Sequence, residues 1–247
     1  MRFAIALLLA IVVVPTNAVE LLNRPTAGIQ GLLSTPDILG GDAGVCANGN
    51  ASTLPIHDAP NADANPIGRV LVSPATREPD GGCRIGSVLF DPAPRDDPPD
   101  TPVPMLEHGY EAASLIVLDA RPPWFRVALG QAGDGWLHSE HGHYRTLVDL
   151  YRDGLTYLTD TWDGELCDGP DPERACAIAD AARLHHEQQD AVTVTASAEI
   201  AGETWIEVEL ITSPCRTDSQ YTLPIRGWLR ARDSAGRPNV WFHARGC

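Results

Sequence analysis

The chain contains one short pattern twice, and this repeat limits the folds open to it more than any other feature. Residues 124–137 contain Trp-Phe-Arg-Val-Ala-Leu and, five residues later, Gly-Trp-Leu. Residues 205–229 contain Trp-Ile-Glu-Val-Glu-Leu and, 16 residues later, the same Gly-Trp-Leu. An ordered recurrence of this kind indicates that one structural module is used twice.

A third element precedes each tryptophan motif. Residues 56–61 and 166–171 both read apolar–x–Asp–small–Pro–polar, and Asp and Pro favour tight turns. These matches predict a first unit at residues 53–145 and a second unit at residues 162–247. The connector at 146–161 is compatible with either a helix or a pair of strands.

The tryptophan motifs have the periodicity of strands. In the first unit Phe125, Val127 and Leu129 recur at every second position, which predicts that they share the face directed at the core. Trp124 and its counterpart Trp205 are predicted on the opposite face unless a bulge intervenes. Short strands separated by turn signals are typical of a small barrel or a sandwich.

Three segments depart from a plain repeat of strands. Residues 19–52 show little periodicity and are predicted to form an irregular lead-in. Residues 76–104 are rich in Pro, Asp and Gly and are predicted to form a long exposed loop, although residues 83–90 are compatible with an extra short strand. Residues 172–189 follow an Asp-Pro start and are rich in Ala, which predicts a helix.

The beginning of the chain resembles an export signal. Arg2 precedes an apolar run at residues 3–14, and small residues end at Ala18. This pattern predicts a signal peptide at residues 1–18, since the apolar run is too short to span a bilayer stably. We therefore expect a periplasmic or secreted protein without a membrane span after cleavage. The absence of Lys and the abundance of Ala, Asp, Gly and Pro are typical of a GC-rich bacterium.

The formal net charge of the chain is −15. A charge of this sign repels phosphate backbones and anionic lipid surfaces. Nucleic acids and membranes are therefore poor candidate partners.

The six cysteines favour disulfides because their number is even and the chain is predicted to be exported. None of them has the Cys-x-x-Cys spacing of redox or zinc motifs. We predict pairing between neighbours in the sequence, although six cysteines allow about 15 connectivities. The expected pairs are Cys46–Cys83, Cys167–Cys176 and Cys215–Cys247.

The order of these elements resembles that of bacterial SH3-like (SH3b) domains, which are small, strongly bent β-barrels. The resemblance rests in the first unit on Asp58, Pro60, Trp124, Val127, Leu129, Gly135, Trp136 and Leu137. In the second unit it rests on Asp168, Pro170, Trp205, Val208, Leu210, Gly227, Trp228 and Leu229. It implies two small barrels that act as a binding or scaffolding module of the envelope, without catalytic residues. With the predicted disulfides, we expect two disulfide-stabilised SH3-like barrels and no cofactor. Independent barrels and one packed domain both remain open.

Three aromatic residues are candidates for contacting a ligand. Trp136 and Trp228 each lie beside a turn glycine, where a core position and an exposed groove are both plausible. Tyr110 is a possible companion on a neighbouring strand, or simply a packed residue.

The sequence also contains a weak candidate metal site. His138, His141 and His143 lie within six residues, and imidazoles at this spacing could hold zinc or copper if the loop wraps around the ion. An exposed polar turn is the alternative. No Gly-x-Ser-x-Gly elbow or phosphate-binding loop is present, and no particular pair of carboxylates is singled out.

We therefore expect a non-enzymatic binding module of the bacterial envelope, whose ligand is a peptide, a cell-wall fragment or a protein partner. One alternative is an envelope hydrolase with a metal or carboxylate site that the sequence does not reveal. The other is a structural subunit or spacer.

Overall fold

The computed structural model describes residues 21–22, 27–35, 52–73, 76–77, 83–84, 87–92, 101–109, 112–171, 173–178, 191–211 and 225–242. The predicted signal peptide at 1–18 lies outside these ranges. The protein is mainly β, as expected, and contains a sheet that curls into a half-barrel. No helix within the described ranges has the length and apolar character needed to cross a bilayer.

The described strands fall into two large sheets and one small hairpin. In chain order they are β1 Leu21–Leu22, β2 Gly31–Ser34, β3 Ser52–His57, β4 Pro66–Val72, β5 Thr76–Arg77, β6 Cys83–Arg84, β7 Val88–Pro92, β8 Thr101–Pro102, β9 Met105–Gly109, β10 Ala112–Arg121, β11 Trp124–Ala128, β12 Asp134–His138, β13 His143–Thr146, β14 Thr156–Leu158, β15 Glu165–Cys167, β16 Cys176–Ile178, β17 Ala191–Ile200, β18 Glu203–Ile211, β19 Ile225–Arg230 and β20 Val240–Phe242.

Each large sheet contains one copy of the repeat. The first sheet has the order β1-β9-β10-β11-β12-β3-β4-β7-β8, and β2 joins it by pairing with β10 and β13. The second sheet has the order β16-β15-β19-β18-β17-β14-β20. Strands β5 and β6 form a separate pair. The pairing is antiparallel except between β1 and β9, which is the pattern expected of hairpin-connected strands.

The connector contains α1 at Leu147–Asp153, the one α-helix among the described residues, followed by strand β14; short 3-10 helices lie at Gly130–Ala132 and Ser139–His141. Its start is closed by a capping box, in which the Asp149 N–H donates to Thr146 Oγ1 at 3.1 Å and the Thr146 N–H donates to Asp149 Oδ2 at 3.1 Å. This exchange satisfies amide groups that the first turn leaves without a helical partner. The helix buries Leu147, Leu150 and Tyr151.

The prediction of a helix at residues 172–189 is wrong for residues 173–178, the part of this segment that the structure describes. Residues 173–175 belong to a turn, and residues 176–178 form β16. The high helix propensity of this segment is overridden because β16 pairs along its whole length with β15. Residues 179–190 lie outside the described ranges.

The lead-in contains a strand that we did not expect, and the insertion contains strands β6 and β7 where residues 83–90 are compatible with one short strand. Strand β2 runs through the predicted irregular segment 19–52 and buries Leu32 and Leu33 on its two faces. In the predicted exposed loop at 76–104, strand β7 pairs with β4 and buries Val88 and Phe90. Both segments become ordered because the neighbouring strands supply hydrogen-bond partners that cannot be read from local sequence.

The apolar interior has two parts. The first core lies within the first sheet and includes Phe125, Val127 and Leu129, which confirms their predicted inward face. The second is a shared core, because it combines residues of the second sheet and α1 with residues from the other side of the first sheet. Its members include Ile206, Val208, Leu229, Trp241 and Phe242 together with Ile29, Leu32, Leu106 and Ile116. The second unit therefore completes its interior with side chains from the lead-in and the first unit.

Candidate functional site

The repeat found in the sequence is also a repeat of strand pairing. Strand β11 pairs with β12, and β18 with β19, in the same register. The first tryptophan of each motif thus lies opposite the residue two positions after the second tryptophan. The second tryptophan lies opposite the residue before the turn aspartate. The matched pairs are Trp124–His138 with Trp205–Arg230, and Trp136–His57 with Trp228–Cys167.

The turn loops at 58–65 and 168–175 share a set of hydrogen bonds. In each loop the aspartate N–H donates to a carbonyl seven residues later, and the residue after the proline accepts backbone N–H groups with both its side chain and its carbonyl. The matched bonds are Asp58 N to Asn65 O (3.1 Å) with Asp168 N to Ala175 O (3.3 Å), Asp63 N to Asn61 Oδ1 (3.1 Å) with Glu173 N to Asp171 Oδ1 (2.9 Å), and Ala64 N to Asn61 O (3.3 Å) with Arg174 N to Asp171 O (3.0 Å).

The strand before each tryptophan motif carries a bulge at the same place. The register shifts between Val117 and Asp119 in β10, and between Val194 and Ala196 in β17. The two copies can therefore be aligned residue by residue across this hairpin as well. In that alignment Arg121, which lies opposite Trp124, corresponds to Ala198, which lies opposite Trp205.

The four motif tryptophans lie on the outer faces of the two sheets. Within the described residues, none of Trp124, Trp136, Trp205 and Trp228 belongs to the first core or the shared core. The predicted outward direction of Trp124 and Trp205 is thus observed. Trp124, Trp136 and Trp205 are nevertheless buried there, at 9%, 7% and 2% exposure, and Trp228 is half-buried.

In the first unit both indoles are covered by polar side chains. Trp136 is 7% exposed, and the Arg121 guanidinium lies 5.2 Å from its ring centroid. Trp124 is 9% exposed and lies between two imidazoles, with ring centroids at 5.2 Å from His57 and 5.1 Å from His138. We refer to these five residues as the first-unit face.

In the second unit one indole is covered and the other is not. Trp205 is 2% exposed and has the Arg230 guanidinium 5.4 Å from its ring centroid. Trp228 is half-buried. At the position of Arg121 the second unit has Ala198, and the methyl group of Ala198 is too short to cover an indole two strands away as Arg121 covers Trp136. We refer to Trp205, Trp228, Arg226, Arg230 and Glu207 as the second-unit face.

Each face carries a diagonal ion pair between equivalent positions, but with the charges exchanged. In the first unit Arg126 on β11 pairs with Asp134 on β12 at 3.4 Å. In the second unit Glu207 on β18 pairs with Arg226 on β19 at 2.6 Å. The hydrogen bond from Arg226 is the main reason why the pKa of the Glu207 carboxyl is lowered, as expected when a bond favours the charged form.

The structure does not bring the predicted metal ligands together. Within the described ranges, no group of three or more His, Cys, Asp or Glu side chains is placed to hold an ion, so His138, His141 and His143 do not form such a group. The Glu140 N–H donates to His138 Nδ1 at 3.3 Å, and the Glu140 carboxylate lies 3.4 Å from His141 Nε2. The candidate Tyr110 lies outside the described residues.

A serine–histidine contact on the first sheet was missed from the sequence. Ser114 on β10 bonds His108 Nε2 on β9 at 2.9 Å, and Ser34 on β2 bonds Ser114 at 2.8 Å. Burial, and then the charge of Arg145, lower the pKa of His108. Ser114 is 0% exposed, so the bond ties three strands together and cannot receive a substrate. These residues are far apart in the sequence, and no motif joins them.

The disulfide Cys167–Cys176 is confirmed. It joins directly opposite residues of β15 and β16, and the equivalent pair in the first unit is His57 and Pro66. Cys46, Cys215 and Cys247 lie outside the described residues, as does the side chain of Cys83, so the other two predicted pairs stay predictions.

Comparison of the chain with known families, curated proteins and solved structures finds no match. The internal repeat is therefore the main guide to the function of the two faces.

Proposed function

We propose that the protein is an exported, non-enzymatic binding module of the bacterial cell envelope and that the second-unit face binds its ligand. The observation that carries this proposal is the half-buried indole of Trp228, which lies outside both cores. Large aromatic side chains with one accessible surface supply contact area at low entropic cost. The ligand is a peptide, a cell-wall fragment or a protein partner.

We also propose that the two units are divergent SH3-like copies. The shared strand register, turn loop and bulge support a common module. The shared core supports one packed body over two separate barrels. Export is supported by the signal-like residues 1–18 and is compatible with the Cys167–Cys176 disulfide, because disulfides persist in oxidising compartments.

Two observations favour binding over hydrolysis. The described serine–histidine contact has a fully buried hydroxyl, and the three clustered histidines do not converge. A structural spacer does not require an exposed Trp228, whereas a binding module with its site there does. Ligand binding at that indole therefore distinguishes the binding role from the spacer role.

The experiment is a tryptophan fluorescence titration of residues 19–247 with purified cell-wall fragments and short peptides. We expect a saturable change that is reduced at least tenfold in affinity by Trp228→Ala. Ala198→Arg, which copies the covered arrangement of the first unit, should have the same effect without removing the indole.

Leu155→Arg is the matched control, since it adds the same charge at an exposed side chain between α1 and β14. Its affinity should equal that of the unmodified protein. If folded Trp228→Ala and Ala198→Arg variants bind like this control, the second-unit face is not the binding site. If no fragment or peptide binds the folded protein, the spacer role replaces the binding role.

A further inference from the structure

We infer that the second-unit face takes an uncharged, polyhydroxylated ligand, with one sugar ring of a glycan stacked on Trp228. This inference rests on the proposed function, because it names the class of ligand for the same face. It is drawn from the side chains that surround the indole.

The indole lies in the middle of a ladder along β19. Arg226, Trp228 and Arg230 occupy alternate positions, while Gly227 and Leu229 between them are buried. Alternate residues of a strand point to the same face, and the Cα atoms of the two outer residues, four positions apart, are roughly 13 Å apart. The Arg230 guanidinium lies over Trp205 and the Arg226 guanidinium pairs with Glu207, so both groups are directed toward β18 and flank the indole of Trp228 from that side.

Both guanidinium groups are already held by carboxylates. Arg226 pairs with Glu207 at 2.6 Å, and Arg230 pairs with Glu203 at 3.1 Å. The Thr195 hydroxyl also donates to Glu207 Oε2 at 2.8 Å, the same oxygen that accepts from Arg226, which holds that carboxylate in place. Each end of the ladder thus offers a donor and an acceptor side by side in a preformed arrangement.

A hydroxyl group matches this arrangement better than an ion does. A hydroxyl both donates and accepts hydrogen bonds, so neighbouring hydroxyls of a sugar can bond a guanidinium and its carboxylate together. The C–H face of a sugar ring is apolar and covers the face of an indole. Neither contact requires the ion pairs to separate.

The charges on the second-unit face disfavour ionic ligands. Glu209 lies opposite Arg226, so three carboxylates surround two guanidinium groups. An anion would also approach a chain of net charge −15 and be repelled. A cation on Trp228 would lie beside Arg226 and Arg230, and the carboxylates of Glu207 and Glu203 are already paired with those two guanidinium groups.

The first-unit face lacks the features that the inference requires. Trp136 lies beneath Arg121, and the equivalents of Arg226 and Arg230 are Asp134 and His138. We therefore expect one glycan site per chain.

The test is calorimetry of residues 19–247 with neutral trimers of glucose and of N-acetylglucosamine, in low and high salt. Hexaglutamate and hexalysine serve as charged probes. We expect 1:1 binding of at least one trimer, with an affinity that changes less than about twofold between the salt conditions because no net charge is paired. Neither charged peptide should compete with the bound trimer.

Trp228→Ala should weaken trimer binding at least tenfold, and Glu207→Gln several-fold, because it removes an acceptor and loosens Arg226. Arg126→Gln, on the ion pair of the first unit, is the matched control and should bind normally. If Trp228→Ala does not fold, Ala198→Arg serves in its place.

Three results would overturn the inference. The first is W228-dependent binding of peptides with no binding of either trimer, which would leave the proposed function intact. The second is trimer binding that W228A, A198R and E207Q leave unchanged. The third is the absence of binding by any probe or envelope fragment, which would remove the proposed function as well.

Discussion

Gly135 lies against Ile56 so closely that a Cβ atom on residue 135 would come within 2.3 Å of Ile56 Cγ2. The second unit has the same contact, since a Cβ on Gly227 would lie 2.9 Å from Leu166 Cβ. In both copies the glycine before the second tryptophan brings its strand close to the apolar residue before the turn. The glycine of the Gly-Trp-Leu motif is therefore required by packing between strands.

Gly135→Ala should lower the free energy of unfolding by about 2 kcal/mol or more, because the added methyl overpacks the first core. Gly227→Ala should cost less, since its contact is longer. Gly169→Ala is the control, as the nearest atom there is the Arg174 side chain at 3.7 Å. Urea denaturation of the three variants checks the order. Equal stability of Gly135→Ala and Gly169→Ala would contradict the packing role.

The two candidate tryptophans should differ in their effect on stability. Trp136→Ala removes a 7% exposed indole and should cost about 3 kcal/mol. Trp228→Ala should cost clearly less, because part of that indole is already in contact with water. Arg121→Ala should shift the fluorescence emission to longer wavelength by uncovering Trp136. A larger loss of stability for Trp228→Ala than for Trp136→Ala would be inconsistent with the described faces.

Loss of the Cys167–Cys176 bridge should lower the free energy of unfolding by about 2–3 kcal/mol, because a short closed loop removes about that much conformational entropy from the unfolded chain. The bridge closes a sequence separation of 9 residues. The variant Cys167→Ser/Cys176→Ser, compared by urea denaturation with the unmodified protein, measures this difference. In this variant, hydrogen exchange should be accelerated more in β15 and β16 than in β11 and β12, relative to the unmodified protein. An unchanged urea midpoint would show that the disulfide does not stabilise the protein by constraining the unfolded chain.

Tyr151→Phe should leave stability unchanged or raise it by up to about 1 kcal/mol, because an unsatisfied buried hydroxyl is costly. The Tyr151 hydroxyl is buried without a hydrogen-bond partner among the described residues, and burial raises its pKa. Thr156→Val is the contrasting control, since the buried Thr156 hydroxyl donates to the Val192 carbonyl. Thermal melts should show no loss of stability for Tyr151→Phe and a lower melting temperature for Thr156→Val. A marked loss for Tyr151→Phe would reveal a partner for its hydroxyl.

The stability of the protein should fall with acidity partly through His108. The pKa of His108 in the folded protein is lowered from 6.5, chiefly by burial, so the unfolded chain binds its proton more readily. Stability from this group is therefore lost as the pH falls through about 6.5 towards the lowered value. Urea denaturation between pH 7.5 and pH 5 should give a shallower decline for His108→Gln. Identical slopes would exclude this contribution.

Local sequence was sufficient wherever the deciding contacts are close along the chain. The alternation of Phe125, Val127 and Leu129 predicted one buried face, and the first core contains all three. The nine-residue spacing of Cys167 and Cys176 predicted a local bridge, which is present. The ordered repeat predicted equivalent hairpins, and their strand registers agree.

Local sequence failed where a distant strand decides the outcome. Residues 176–178 lie in an Ala-rich segment that predicts a helix, but they pair with β15. Strand β2 forms within an apparently irregular segment because β10 and β13 lie on its two sides. The Ser114–His108 contact likewise exists only because β9 and β10 are neighbours.

The sequence by itself determined that two copies of a β module are present and which of their residues face inward, because strand periodicity is a local property. Only the tertiary structure decided which tryptophan reaches solvent. Trp136 and Trp228 stand in identical motifs, and their exposure differs because Arg121 covers one and Ala198 leaves the other open. That difference originates two strands away, at positions that pattern alone does not connect to either indole.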